Sequence, residues 1–130
     1  MTIPLICVFI AFSLIYLPKL PLSVAMAKSP GGYNNRQPRD QQAALEGWGK
    51  RAGAAHANGF EAFAPFAAAV FTAHLVKADP QTSAILAIVH VTARTIYPVA
   101  YIAGVHLLRS TVWCIGFGAT VGLFIAAFWA

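Results

Sequence analysis

Two ionisable residues, Glu61 and Arg94, lie inside otherwise apolar stretches of the sequence. A charge at the centre of a lipid-facing helix costs about 2.5–3.5 kcal/mol on insertion scales, so such residues persist where they pair, face a bundle interior or line a polar cavity. Arg51, Asn58, Glu61 and Pro65 are separated by seven, three and four residues, which keeps them near one face of a helix. His90, Arg94, Tyr97 and Tyr101 follow at four, three and four, again on one face. On antiparallel helices the two charges share a depth, with Glu61 roughly 15 Å along from Arg51 and Arg94 roughly 18 Å from His106 at about 1.5 Å per residue. A direct Glu61–Arg94 ion pair is therefore expected. A lone pair would only fix helix register, with Asn58 and the tyrosines as hydrogen-bonded glue. At least six polar groups converging on one mouth is instead the pattern of a binding site. Pro65 and Pro98 fall at comparable depth, where freed carbonyls add acceptors. His56 and His106 flank the mouth, whereas His74 lies near the far end of its helix and reads as interfacial.

These stripes need helices in lipid to carry them. Of the 130 residues 58% are hydrophobic and only 10% charged, with a mean hydropathy of +0.65. A soluble domain of this size lacks the interior to hide so much apolar surface. The expected fold is all-α, an integral membrane four-helix bundle in a single domain. Its spans are read at about 3–26, 54–76, 82–105 and 111–129, with one polar loop at about 27–51. From about Gln41 the loop becomes helix-compatible again, so the second helix is expected to begin in water. Pro18 and Pro21 predict a kink or an early stop in the first span. That span lacks the basic flank of a secretory signal and is read as retained. Arg109 is placed in the short connection after the third span. Lys28, Arg36, Arg39, Lys50 and Arg51 crowd the first loop, so the first and third loops are expected on the cytoplasmic side, with Trp113 and Trp129 as interfacial anchors.

Other chemistries find little support. Cys7 and Cys114 sit in apolar segments, where a thiol behaves as a small hydrophobe. No Cys/His spacing suits a metal and no glycine-rich phosphate loop follows a strand. The net charge of +5 reports membrane orientation, because the basic residues flank the apolar segments and form no basic and aromatic face for nucleic acid. Gly104, Gly116, Gly118 and Gly122 suit close helix packing.

The run His56-Ala57-Asn58-Gly59-Phe60-Glu61 with Pro65-Phe66, then Ala93-Arg94 with Tyr97, Tyr101 and Arg109-Ser110, resembles the membrane-associated proteins in eicosanoid and glutathione metabolism, the MAPEG family. Its members include microsomal glutathione transferases and microsomal prostaglandin E synthase. The resemblance runs from about Ala44 to the C-terminus. It implies a homotrimer in the bilayer, with glutathione as co-substrate between subunits at the cytoplasmic half, acting on lipophilic electrophiles or hydroperoxides. Carried over by position, Arg51, His56, Asn58, Glu61, Arg94 and Tyr97 would bind glutathione, while Arg109 and Tyr101 would be catalytic, Arg109 beside the thiol. Glutathione-using members often carry an arginine two residues before the His56 position; this chain has Ala54 there, a departure that bears on one carboxylate contact. A bacterial inner membrane is the expected location. The alternatives are a non-catalytic binding or scaffold protein of the same fold, and a small proton or ion conduit built on Glu61, Arg94 and the histidines.

Overall fold

The computed structural model describes residues 1–130 and is all-helical: α1 (Ile3–Tyr16), α2 (Lys19–Ala27), α3 (Pro38–Ala44), α4 (Gly47–Leu75), α5 (Pro80–Ala103) and α6 (His106–Phe128). α1 is apolar all round, with Phe9 and Phe12 exposed on its outer side, as suits a helix solvated by lipid. Its end is set by Pro18, which has no amide to continue the ladder. Leu17 turns its own amide back to Leu14 O at 3.3 Å, and α2 restarts from Lys19. Of the kink or early stop expected from the prolines the structure has the early stop, and it leaves Ile15 O without a backbone donor.

The polar loop is tied by one side chain. Gln41 donates its amide to Met26 O at 3.2 Å and Gly32 O at 2.8 Å, and accepts from Asn34 N at 2.9 Å. The helix-compatible stretch from about Gln41 is divided between the end of α3 and the start of α4, which begins at Gly47, ahead of the span read from about residue 54. Leu45 and Glu46 are extended, and Gly47 at φ +57° redirects the chain to start α4 against α2. A Cβ on Gly49 would stand 2.7 Å from Ala25 Cβ, so this approach requires glycine.

α4 is 29 residues long, about 43 Å at 1.5 Å per residue, and carries Pro65 within it. It closes in a left-handed turn at Lys77 (φ +60°), with Ala78 N bonded to Ala73 O at 2.9 Å. Asp79 then caps α5 by accepting from Thr82 N at 2.7 Å, and that amide holds its carboxyl below the usual carboxylate range. α5 ends at Gly104 (φ +78°), with Val105 N returning to Ala100 O at 2.9 Å. Only Gly104 and Val105 separate α5 from α6, so Arg109 is not in a loop. It sits in the first turn of α6, its amide on Val105 O at 3.0 Å.

The core is built from small residues and a few large ones: Ala11 and Cys7 of α1, Phe66, Ala69 and Val70 of α4, Ala87 and Val91 of α5, and Leu123 of α6. α5 and α6 form a close antiparallel hairpin, in which a Cβ at Gly122 would meet Leu86 at 3.2 Å. Three segments are long and apolar enough to cross a membrane: Ile3–Ala27 taken through the proline break, Pro80–Ala103 and His106–Phe128. α4 packs against α1, α5 and α6, and its polar residues set it apart in composition. Large apolar side chains such as Phe71, Ile88, Ile115 and Ile125 are exposed on the outside, a surface made for lipid or for another protein.

Candidate functional site

The polar stripes of α4 and α5 meet, but not by the ion pair expected from their spacing. No carboxylate oxygen lies against Arg94. Arg94 Nη1 donates to Asn58 Oδ1 at 2.9 Å, and Asn58 Nδ2 donates in turn to Glu61 Oε2 at 3.0 Å. Asn58 therefore relays between the charges, a role its amide can fill because it offers an acceptor and a donor at once. The reason lies in the helix faces: Arg94 is 8% exposed and points into the bundle, while Glu61 lies on the exposed side of α4.

From Arg94 the chain of contacts runs along α5 toward its C-terminal end. The Arg94 guanidinium lies 4.3 Å from the Tyr97 ring centre, Tyr97 meets Tyr101 edge to face at 5.7 Å, and the Arg109 guanidinium lies 4.7 Å from the Tyr101 ring centre. Each cation over an aromatic face is an attractive contact, so the tyrosines seat both guanidinium groups. Arg109 reaches Tyr101 because the two-residue connection folds the first turn of α6 back beside the last turns of α5. Glu61, Asn58, Arg94, Tyr97, Tyr101 and Arg109 thus form one continuous polar track.

Two hollows open along the track and share Trp113. The inner one, about 170 Å³, is bounded by Asn58, Glu61, Arg94, His90 and Thr120. The outer, about 420 Å³ and wide open, is bounded by Tyr97, Tyr101, Arg109, Ser110 and Cys114. Two fixed cations and one carboxylate along such a track suit a ligand that carries negative charge at two points and positive charge at one.

Two expected site residues point elsewhere. Arg51 Nε donates to Ile102 O at 2.9 Å, capping one of the last carbonyls of α5. Its guanidinium lies 3.8 Å from where a Cβ on Gly104 would stand. His56 turns toward α1, its Nδ1 2.7 Å from Ile15 O, the carbonyl released by the Pro18 break. A carbonyl can only accept, so Nδ1 carries the hydrogen; the ring packs on Tyr16 and Phe60. Both residues thus hold helices in place. His74 and His106 are exposed.

Sequence reasoning missed the α6 side. His90 is buried, stacks on Phe66 at 3.7 Å, and places Nδ1 3.0 Å from Gly116 O and 3.1 Å from Thr120 Oγ1. Its Nε2 has no hydrogen-bond partner. Nothing in the spacing of α6 marks Thr120 or Trp113. Cys114, read from the sequence as a hydrophobe among apolar residues, is exposed in the outer hollow beside Arg109. The four-residue step from Ser110 to Cys114 was the available signal. No group of three His, Cys, Asp or Glu side chains gathers anywhere in the structure.

No curated protein and no solved structure matches the chain. The family description that does match, the MAPEG family, covers residues 3–129. With nearly its whole length accounted for, the chain belongs to the MAPEG family.

Proposed function

We propose that this protein is a membrane-embedded glutathione-dependent transferase or peroxidase acting on lipophilic electrophiles or hydroperoxides. The observation that carries the proposal is the unbroken polar track from Glu61 through Asn58, Arg94, Tyr97 and Tyr101 to Arg109, with hollows along it. Glutathione has two carboxylates and one ammonium. Glu61 would take the ammonium, and Arg94 with Asn58 a carboxylate, leaving the thiol toward Arg109 in the outer hollow. A free thiol has a pKa of about 8.5 and is mostly protonated at neutral pH; a cation beside it favours the thiolate. In the transferase reaction the thiolate forms a sulfur–carbon bond to the electrophile as the leaving group departs with its electron pair.

α4 is taken as a fourth span, making a four-helix bundle with the first and third loops cytoplasmic, where the basic residues lie. Glu61 is exposed on a helix that then lies in lipid, a placement costing about 2.5–3.5 kcal/mol unless another surface covers it. A homotrimer with sites at subunit boundaries provides that cover. One observation favours a non-catalytic binding or scaffold protein of the same fold: Arg51 and His56 are engaged by backbone carbonyls and leave fewer groups for a ligand.

Calorimetry of glutathione against the detergent-purified protein, beside turnover with a generic aromatic electrophile, tests the proposal. Binding with turnover is expected. Binding without turnover selects the scaffold, and no binding at millimolar glutathione removes the thiol chemistry altogether. Native mass spectrometry in detergent reads the assembly; a monomer that still binds glutathione overturns the shared site.

A further inference from the structure

At the opposite end of α4 and α5 from the polar track, the start of α1, the end of α4 and the start of α5 enclose a separate cavity of about 380 Å³. Its wall is apolar, formed by Ile3 and Pro4 of α1 and by Val70 and Ala73 of α4. Three polar side chains of α4, its terminal turn and α5 reach it: His74, Lys77 and Ser83. No acidic residue lines it. Asp79, the nearest carboxylate in sequence, is turned onto the Thr82 amide of its own helix.

Two features there lack an explanation in folding. Ser83 is 6% exposed, yet its hydroxyl has no hydrogen-bond partner. Helical hydroxyls ordinarily return to the carbonyl four residues back, as Thr72, Thr92, Thr95 and Thr111 do here; Ser83 does not. A buried polar atom left without a partner is disfavoured, so a group that bonds it is the natural complement. Lys77 is the one non-glycine residue with positive φ, at a helix-ending position where glycine is the relaxed choice. Strain held at a cavity mouth points to a use for the side chain.

We propose that this cavity binds a single-chain anionic amphiphile, a long-chain carboxylate. Its chain lies along Ile3, Pro4, Val70 and Ala73, and its head pairs with Lys77 and accepts a hydrogen bond from Ser83 Oγ. The volume is at the low end for small-molecule sites, which lie in the range of about 300–1,000 Å³, and suits one chain better than two. The site stands apart from the polar track and does not depend on the function proposed for it.

The test uses the full chain in phosphatidylcholine nanodiscs and a stearate bearing a nitroxide near its methyl end, read by electron paramagnetic resonance. The acid is expected to show a protein-immobilised component that its methyl ester lacks. Lys77→Gly is expected to raise the thermal midpoint by relieving the left-handed strain, yet to weaken binding of the acid about tenfold, as loss of a charged hydrogen-bond partner does. Ser83→Ala, which removes a hydroxyl with no protein partner, is expected to weaken binding about threefold or more with the thermal midpoint unchanged. Equal immobilisation of acid and ester overturns the proposal, as does a Lys77→Gly protein that holds the acid like wild type. Displacement of the acid by less phosphatidylglycerol than unlabelled stearate overturns the single-chain assignment.

Discussion

Asn58→Ala removes the relay between Arg94 and Glu61 at both ends. A hydrogen bond to a charged group contributes about 1.5–3 kcal/mol, so counting both ends naively gives about 3–6 kcal/mol. The two ends are unequal. Arg94 is 8% exposed and keeps only its contact with the Tyr97 ring, so its loss is felt in full. The Asn58–Glu61 bond joins residues three apart on one helix and adds only about 0.2–0.5 kcal/mol. Interhelical hydrogen bonds in membranes also fall below their expected strength, averaging about 0.6 kcal/mol with a maximum near 1.7. The expected loss is therefore about 0.6–1.7 kcal/mol, assigned almost wholly to Arg94. Glu61→Gln keeps an oxygen that accepts from Asn58 and should destabilise by less than about 0.5 kcal/mol. A direct ion pair predicts the reverse order, because removing one charge of a buried pair costs about 3–5 kcal/mol. Equilibrium unfolding in mixed micelles of wild type, Asn58→Ala, Glu61→Gln and the double variant separates the cases. If Glu61→Gln loses more than Asn58→Ala, the relay is wrong and the charges pair directly.

Arg109→Ala is expected to raise the pKa of a bound thiol and cut turnover while leaving glutathione affinity nearly intact, because its interaction strengthens as negative charge develops. Arg109→Lys should restore only part, and titration of the ultraviolet thiolate band in all three proteins decides it. His56→Phe leaves Ile15 O without a donor in a low-dielectric setting and should destabilise by about 1–3 kcal/mol, measured by the same unfolding assay. Asp79 has its carboxyl pKa lowered by folding, so the stability it contributes is present above the ordinary carboxylate value of about 3.9 and disappears as the pH falls through the lower folded value. The thermal midpoints of wild type and Asp79→Ala should accordingly differ at neutral pH and converge in acid.

The spacing of Asn58 and Glu61 on one helix and of Arg94, Tyr97 and Tyr101 on the next was legible because a 3.6-residue period fixes which side chains share a face. It could not rank Asn58 above Glu61 as the partner of Arg94, since that depends on how α4 is rotated about its own axis, which packing against α1 and α6 decides. His56 illustrates the same gap. Its acceptor exists only because Pro18 frees Ile15 O, a fact 41 residues away in sequence. Hydropathy alone delimits the third and fourth spans and so places Arg109 between them; Gly104 in the left-handed conformation closes the turn earlier and brings Arg109 into a helix. The α6 contributions of Trp113 and Thr120 carried no periodic signal in a helix apolar on nearly every side.

The outer hollow beside Arg109 is open along α6, where Trp113 and Cys114 are exposed among lipid-facing residues. On the proposed function, its two reactants are then counted in different units. Glutathione is a solute measured per litre of water, whereas an electrophile that arrives sideways is measured by its mole fraction among the lipids. Adding inert phospholipid at constant total electrophile dilutes one reactant and not the other. The apparent KM for the electrophile should rise in proportion to the added lipid while that for glutathione stays fixed, so the rate law itself reports which solvent each reactant came from.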